Sequence, residues 1–416
     1  LLYWANYLRV IVGSANLTND GYRRNQEVFG VVDYHASCKS PRRLLSTLLD
    51  FLRAAGAYSA VRPERSPALT RWNGFLDRVG LETTDWGRPD DELRRSDVKA
   101  AAIVCGPGRP NVFEQLQQAW PAESPPTLGS VVSPFFDRPE ISNAPAASLW
   151  SILRQRGRAE AHFHVAAEDV PGKDAVLVMA PESLLKAEPP GRQSTTTRFF
   201  RVQLPGGRPI HAKAIRLEDS RWKLYMVGSS NFTSAGTGLS PNSNLEANIA
   251  YVADAQHHAK SAQALDEAFP ESEVVDLSQN VQWQPLTGEG EDDIAEELRL
   301  PAQFGDGIYH ADEHKEAVVT LHIEGSPPES WRLYTDGVES VVLSEAEWLD
   351  QGKPGTINLT WTQARPPSGF WVRWSESGGS AWWPINVTSG QVLAPPQELK
   401  DLPLEVLIEI LSSARP

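Results

Sequence analysis

The chain has 416 residues with 41% apolar and 22% charged positions and a formal net charge of −14. That is ordinary globular composition with length for two to three domains. No run approaches the roughly 18 uncharged apolar residues of a membrane-spanning helix, and two cysteines, Cys38 and Cys105, are too few for a disulfide scaffold. Collagen, coiled coil, helical membrane protein and disulfide-rich secreted domain are excluded, and a reducing, cytoplasmic setting is the expectation.

The opening LLYWANYLRVIVGS carries Arg9 and has no basic leader, so YLRVIVG at 7–13 reads as a strand and not as part of a signal peptide. The apolar periodicity of RLLSTLLDFLRAA predicts a helix over 43–55, and DVKAAAIVCG predicts a strand. A Pro-rich segment from Trp120 to Pro134 separates two stretches of this kind, and GSVVSPFFDRPE opens the second as a strand followed by a loop. SLWSILRQRGRAE predicts a helix over 148–160, and DAVLVMA, PIHAKAIRL, WKLYMVG and LEANIAYV read as strands. Alternating strand and helix signals are the mark of a layered α/β protein.

Beyond residue 276 the character changes. This last part holds 22 Asp and Glu against 8 Lys and Arg, so the whole net charge sits there and 1–276 is balanced. It also holds 8 of the 14 tryptophans, in short runs such as AVVTLHI, SWRLYTD, TINLTWTQA, GFWVRWSES and AWWPINVT, broken by Gly, Pro and Ser. The expected organisation is α/β stretches at 1–126 and 127–276, an acidic linker at 277–309, an all-β accessory domain at 310–400 and a terminal helix at 401–416. Asp401 would cap that helix, and Leu404, Leu407, Ile410 and Leu411 would form its apolar face.

One motif occurs twice. Residues 12–27 read VGSANLTNDGYRRNQE, and 227–246 read VGSSNFTSAGTGLSPNSNLE. Each gives V-G-S-x-N-x-T, a later glycine, and N-x-E: Ser14, Asn16, Asn25 and Glu27 in the first copy, Ser229, Asn231, Asn244 and Glu246 in the second. Upstream of the second copy stands His211-Ala-Lys213, read as lying on a strand, where i and i+2 share a face. An ammonium and an amide can neutralise and orient a phosphate while an imidazole attacks it or moves a proton.

These residues resemble the twin motif of the phospholipase D superfamily. His211, Lys213, Gly228-Ser229, Asn231 and Glu246 look like one half, and Gly13-Ser14, Asn16 and Glu27 look like the latter part of the other. The resemblance covers roughly 1–275 and says nothing about the C-terminal part. It implies two pseudo-symmetric α/β/α sandwich halves meeting at one site, for which a monomer suffices, and metal-independent phosphodiester cleavage through a phosphohistidine, with no metal and no cofactor. Glu218, with Asp219 beside it, stands where the family has an aspartate five residues after the lysine. The spacing that separates His211 from Asn231, applied before Asn16, falls ahead of Leu1. The first His-x-Lys is therefore expected upstream of the given start. The alternative is a degenerate first half that binds phosphate or DNA without cleaving it.

Within the superfamily, LLYWANYLRVIVGSANLTNDGYRRNQE is closest in flavour to the tyrosyl-DNA phosphodiesterases, where an acidic or amide residue eleven positions after the asparagine belongs to the site, as Glu27 follows Asn16. The resemblance implies a histidine of the first half as nucleophile and His211 as general acid and then base. Lys213, Asn16 and Asn231 hold the phosphoryl oxygens, Glu27 and Glu246 each orient the imidazole of the opposite half, and Ser14, Ser229, Asn25 and Asn244 support. A nucleic-acid phosphodiester such as a DNA 3′ adduct is the preferred substrate, as in a nuclease or DNA-repair enzyme, and a phospholipid is the alternative. Arg23 and Arg24, with Arg198, Arg201, Arg208 and Arg216 around the second His-x-Lys, either steer a polyanion or are solvated strand-end arginines. His310 and His314 have the spacing of shared metal ligands but no third partner, His162 and His164 read as packing residues, and His257-His258 as exposed. Cys38 and Cys105 read as buried thiols. The N-x-T sequons at Asn16 and Asn231 coincide with the phosphate ligands, which favours the cytoplasmic setting.

Overall fold

In the computed structural model the described residues are 1–16, 25–57, 67–89, 99–138, 142–191, 194–204, 207–278, 280–286, 300–301, 303–310, 317–335, 341–362, 366–367, 369–374 and 379–387. They fall into two compact units, Leu1–Tyr58 with Trp72–Asp292, and Ser59–Arg71 with Asp293–Pro416.

The first unit opens with an antiparallel sheet of β1 (Leu2–Trp4), β2 (Tyr7–Gly13) and β3 (Phe29–Tyr34). The helices α1 (Arg42–Ala57) and α2 (Pro67–Glu82) follow. Leu44, Leu45, Leu48, Leu49 and Phe51 recur at helical spacing, so α1 buries one stripe, against Leu8, Val10, Val32 and Tyr34 of the sheet and Leu76 and Val79 of α2.

There follow β4 (Lys99–Cys105), α3 (Val112–Ala119), β5 (Leu128–Val132), α4 (Ala144–Ile152), β6 (Ala159–Val165), β7 (Ala167–Asp169), β8 (Ala175–Val178), α5 (Ser183–Lys186), β9 (Thr195–Val202), β10 (Ala214–Glu218), β11 (Trp222–Gly228), β12 (Glu246–Asp254), α6 (Ala259–Glu267), β13 (Ser272–Val274) and β14 (Asn280–Trp283). Eight of these strands form one sheet in the order β13-β9-β6-β5-β10-β11-β12-β4. β5, β6 and β9 run parallel, and the other pairs are antiparallel. Both faces are covered. Val131, Phe163, Phe199 and Ile215 pack with Phe113 and Leu116 of α3 and Leu149 and Trp150 of α4. Val132, Ala214, Tyr225 and Val227 pack on the other side with Leu265 of α6 and with Phe269 just after it. Side-chain alternation along each strand sends neighbouring residues to opposite layers, giving an α/β/α arrangement. Asn111 and Asn143 cap α3 and α4, accepting from the Glu114 and Ala146 amides at 3.0 and 2.9 Å.

Four expectations change in detail. The helix expected over 148–160 is Ala144–Ile152: the Asn143 cap sets its start, and Ala159–Val165 is drawn into the sheet between β5 and β9. His211 and Lys213 do not lie within a strand, because the β10 ladder begins at Ala214. The described residues do not build two matching halves: the first motif sits on a three-stranded sheet and the second in an eight-stranded one, to whose edge β4, from the segment expected in the first half, is added beside β12. The C-terminal part is not purely β, as the next paragraph describes. The acidic run 287–299 and the helix expected at 401–416 lie outside the described residues.

The second unit contains β15 (Phe304–His310), β16 (Ala317–Ile323), β17 (Arg332–Thr335), β18 (Val341–Ser344), α7 (Glu345–Asp350), β19 (Thr356–Trp361), β20 (Gly369–Trp374) and β21 (Gly379–Val387). Its seven strands form one sheet in the order β18-β17-β20-β21-β15-β16-β19. One face is a core of Phe304, Trp331, Leu333, Trp348, Phe370, Val372 and Trp383. The helix α7 interrupts the strands because Ser344 and Glu347 form a reciprocal capping box, and it brings Trp348 into that core.

Candidate active site

The described parts of the two motif copies bond in the same way. In each, a strand ends in glycine and the following serine amide donates to the carbonyl one residue past the glutamate: Ser14 to Val28 at 3.0 Å and Ser229 to Ala247 at 3.1 Å. The same serine hydroxyl accepts from the return strand's amide, Val28 at 2.9 Å and Ala247 at 3.1 Å. In each, the asparagine two residues ahead of the glutamate donates to it, Asn25 to Glu27 at 3.4 Å and Asn244 to Glu246 at 3.2 Å. The glycine ends oppose equivalent positions, Gly13 against Phe29 and Gly228 against Asn248. Gly228 has to be glycine, because a Cβ there would lie 2.4 Å from the Ala247 carbonyl and from Asn248 Oδ1.

The copies meet through the segment before β10. The Gln26 amide donates to the Pro209 carbonyl at 2.8 Å, and the His211 amide donates to the Gln26 carbonyl at 3.0 Å. This bridge takes the place of a ladder partner at 211–213 and brings Glu27 of the first copy to His211 of the second: Glu27 Oε1 is 2.7 Å from His211 Nδ1. Ser14 Oγ donates to the other Glu27 oxygen at 2.5 Å. Burial pushes the Glu27 carboxyl up, but His211, Ser14 and the Lys213 charge outweigh it, and it stays below the usual glutamate range.

Lys213 is 4% exposed. Its Nζ lies 3.0 Å from His211 Nε2 and 3.1 Å from Nδ1, and donates to the His211 carbonyl at 2.9 Å. Burial brings the ammonium down to about 8, against the pull of Glu27 and Glu246. Burial pushes the Glu246 carboxyl up, opposed by Ser229, Asn244 and Lys213. Lys213 is thus a buried cation held between one carboxylate from each copy. The Phe135 ring stands edge-on to His211 at 6.0 Å and 5.9 Å from Lys213 Nζ.

Asn231 is half-buried, and its Oδ1 is buried with no hydrogen-bond partner among the described residues. Asn16 is exposed at the border of the described residues. A cavity of about 240 Å³ opens beside Gly13 and Ser229, walled by Val10, Val12, Leu48 and Phe51. Glu218 is paired with Arg216 and Lys223 at the end of β10, and Asp219 accepts from the Arg221 and Trp222 amides in the turn.

Some residues that build the site were not legible as such. Asn248, 0% exposed, donates to the Ile103 carbonyl at 3.1 Å and to Ser230 Oγ at 2.8 Å, and accepts from the Ser230 amide at 3.2 Å, pinning the turn that leads to Asn231. Its signal was an asparagine inside the apolar strand LEANIAYV, where strand propensity is low. Ser133 accepts from the Phe232 amide at 3.0 Å, and Asp137 accepts from the Ser234 amide and hydroxyl at 2.8 and 2.7 Å, clamping the far side of the Asn231 loop.

The arginines near His211 are mostly engaged. Arg201 pairs with Asp169 and Glu273, Arg216 pairs with Glu218 and Asp266 and lies 4.2 Å over Phe269, and Arg198 is 3.8 Å from Glu160. Arg208 is exposed, and Arg23 and Arg24 lie outside the described residues. His164 is buried, stacked on Phe200 and bonded through Nδ1 to Ser272 at 2.7 Å, and burial pushes it down to about 3. His162 bonds Glu160 at 2.9 Å. His257 is exposed and bonds Asp254 at 2.9 Å. Cys105 is buried, its thiol pushed up to about 12, and Cys38 is half-buried. His310 is exposed at the end of β15, and His314 lies outside the described residues. Among the described residues no group of three or more His, Cys, Asp or Glu is placed to hold a metal ion, and no helix is long and apolar enough to cross a membrane.

No protein-family model matches the chain, and no curated protein matches it. Among solved structures, yeast tyrosyl-DNA phosphodiesterase is similar at 10% identity and a TM-score of 0.34, over 61% of this chain and 66% of that one. Phosphatidylserine synthase from Haemophilus influenzae is similar at 11% identity and a TM-score of 0.34, over 64% of this chain and 61% of that one. This chain thus spans less than two thirds of either neighbour. The twin motif of this sequence resembles that of the phospholipase D superfamily. The similarity to that family rests here on the motif residues and their bonding.

Proposed function

We propose that residues 1–276 supply the second His-x-Lys and both Asn–Glu sets of a phosphodiesterase of the phospholipase D type, acting on nucleic-acid phosphodiesters with a DNA 3′ adduct as the preferred substrate. The observation that carries this reading is the twinned Ser–Asn–Glu arrangement, which joins Glu27 of one copy to His211 of the other beside the buried Lys213. Glu27 takes the Nδ1–H of His211, leaving Nε2 as the nitrogen that gives and takes a proton. In the first step the phosphorus–oxygen bond to the leaving group breaks and the leaving oxygen receives the Nε2 proton, while an imidazole of the first half of the motif bonds to phosphorus. In the second step His211 takes a proton from water, whose oxygen displaces that imidazole. Lys213, Asn16 and Asn231 hold the non-bridging oxygens through the charge build-up, and Glu246 orients the second imidazole. The positive charge in this scheme comes from Lys213, and no step calls for a metal.

What supports a nucleic-acid substrate is the resemblance of the Asn16–Glu27 spacing to that of the tyrosyl-DNA phosphodiesterases. The test is cleavage, in EDTA, of an oligonucleotide bearing a 3′-tyrosyl phosphodiester by protein that carries the first-half His-x-Lys, with His211→Ala alongside. Cleavage that survives chelation and falls by roughly 10²–10⁴ in the variant is the expected result. A folded protein that leaves the oligonucleotide intact and cleaves a phospholipid would remove nucleic acid as the substrate. A variant as active as the native chain would remove His211 from the chemistry.

A further inference from the structure

The second unit has a basic and aromatic surface that its composition does not announce. Along β17, β20 and β21, alternate residues point away from the Trp331–Trp383 core. The pairing places Tyr334 opposite Trp371 and Trp371 opposite Trp382, so three aromatic rings form one row across three strands. The row beside it places Arg332 opposite Arg373, with Ser380 next. Trp371 is 38% exposed, and Arg332 and Arg373 are exposed. Trp382 lies against Gly369, where a Cβ would stand 2.5 Å from the indole, and it is half-buried. The Trp371 and Trp382 rings are steeply inclined to one another with centroids 5.3 Å apart, and the Arg373 guanidinium sits 4.7 Å over the Tyr334 ring.

Charge sets the kind of occupant. In a part of the chain with a balance of −14, the described residues from 300 onward include three basic side chains, Arg332, Lys353 and Arg373, and two of them stand on this face. Neither forms an ion pair with a carboxylate among the described residues. An outward aromatic row flanked by two guanidinium groups with no carboxylate partner among the described residues is complementary to a ligand with flat rings and regularly spaced negative charges. A neutral oligosaccharide would use the rings and leave both charges unused.

We propose that this face binds single-stranded nucleic acid, with bases stacked on Trp371 and Trp382 and phosphates held by Arg332 and Arg373. The proposal does not depend on the phosphodiesterase reading, and its test is made without turnover. In the full chain carrying His211→Ala, the affinity for a fluorescent oligothymidylate is measured by anisotropy as salt is varied. Trp371→Ala is expected to weaken binding roughly tenfold or more. Arg373→Glu is expected to weaken it as well and to flatten the salt dependence. Trp371→Phe is expected to restore most of the affinity. If Trp371→Ala lowers the melting temperature, the exposed Arg373→Glu carries the test. Affinity unchanged in both variants overturns the proposal, as does affinity lost only with Lys213→Ala. Displacement of the oligonucleotide by a neutral oligosaccharide would overturn it in favour of a sugar platform.

Discussion

Glu27→Gln tests how the two motif copies act together. The change is isosteric and removes one charge from a carboxylate that is 4% exposed and 2.7 Å from His211 Nδ1. A hydrogen bond to a charged group contributes about 1.5–3 kcal/mol and a neutral one about 0.5–1.5, so the imidazolium alone loses about 1–2 kcal/mol, roughly a factor of 5–30. The larger effect is on the tautomer. Glutamine can turn its amide to donate to Nδ1, which puts the neutral ring's proton on Nε2 and removes the base; fixing the wrong tautomer in a comparable carboxylate–histidine pair costs about 10⁴ in rate. The expected fall in kcat/KM is therefore roughly 10²–10⁴. Stability should fall less than activity, because Ser14 keeps an acceptor and Glu246 remains beside Lys213, which loses one of its two carboxylates. Initial rates on the 3′-tyrosyl oligonucleotide and a thermal melt of the same sample decide it. Activity within threefold of the native chain would refute the orienting role, and a matching collapse of the melting temperature would show Glu27 to be structural instead.

Asn248→Ala leaves the Ser230 amide and hydroxyl and the Ile103 carbonyl without partners in the core, so it should destabilise by about 3 kcal/mol and slow turnover through the Asn231 loop, read by denaturant unfolding and kcat. Gly228→Ala drives a methyl into the Ala247 carbonyl and should cost about 1–3 kcal/mol. Gly74→Ala, in α2 with nothing within 4 Å of the new methyl, should instead stabilise by about 0.5–1 kcal/mol, and a pair of melts separates the two cases. Because burial holds Lys213 at about 8, its cation is lost as pH rises through that value, so kcat/KM should have an alkaline limb there and not near 10.5. The same shift makes the unfolded chain bind more protons between those two values, so this group's contribution to stability rises with pH across that window, and a pH–stability profile of Lys213→Met should lack the rise.

The short-range content of the sequence was sufficient for much of this molecule. Strand alternation placed YLRVIVG and WKLYMVG on the residues that form β2 and β11, and helical spacing in RLLSTLLDFLRAA located α1. The repeated G-S-x-N and N-x-E runs named the side chains that bond one another within each copy, because those contacts span few residues or one strand pair. Such signals lie within a window of about ten residues, where periodicity and turn chemistry act directly.

What the window does not contain is which surfaces meet. That His211 leaves the ladder to pair with Gln26, and so receives Glu27 from the far copy, depends on how the sheet of β2 and β3 packs against β12. The same holds for β4 as a sheet edge beside β12, for Asn248 as the pin of the Ser229–Asn231 turn, and for Arg201 and Arg216 being occupied by Asp169 and Glu218. Each is a contact between segments distant in the chain, chosen by the burial of apolar faces and the pairing of buried polar groups across the whole unit. The sequence by itself supplied the chemical groups of the site. Tertiary packing decided their partners, and with them the burial that sets the Lys213 charge and the orientation of His211.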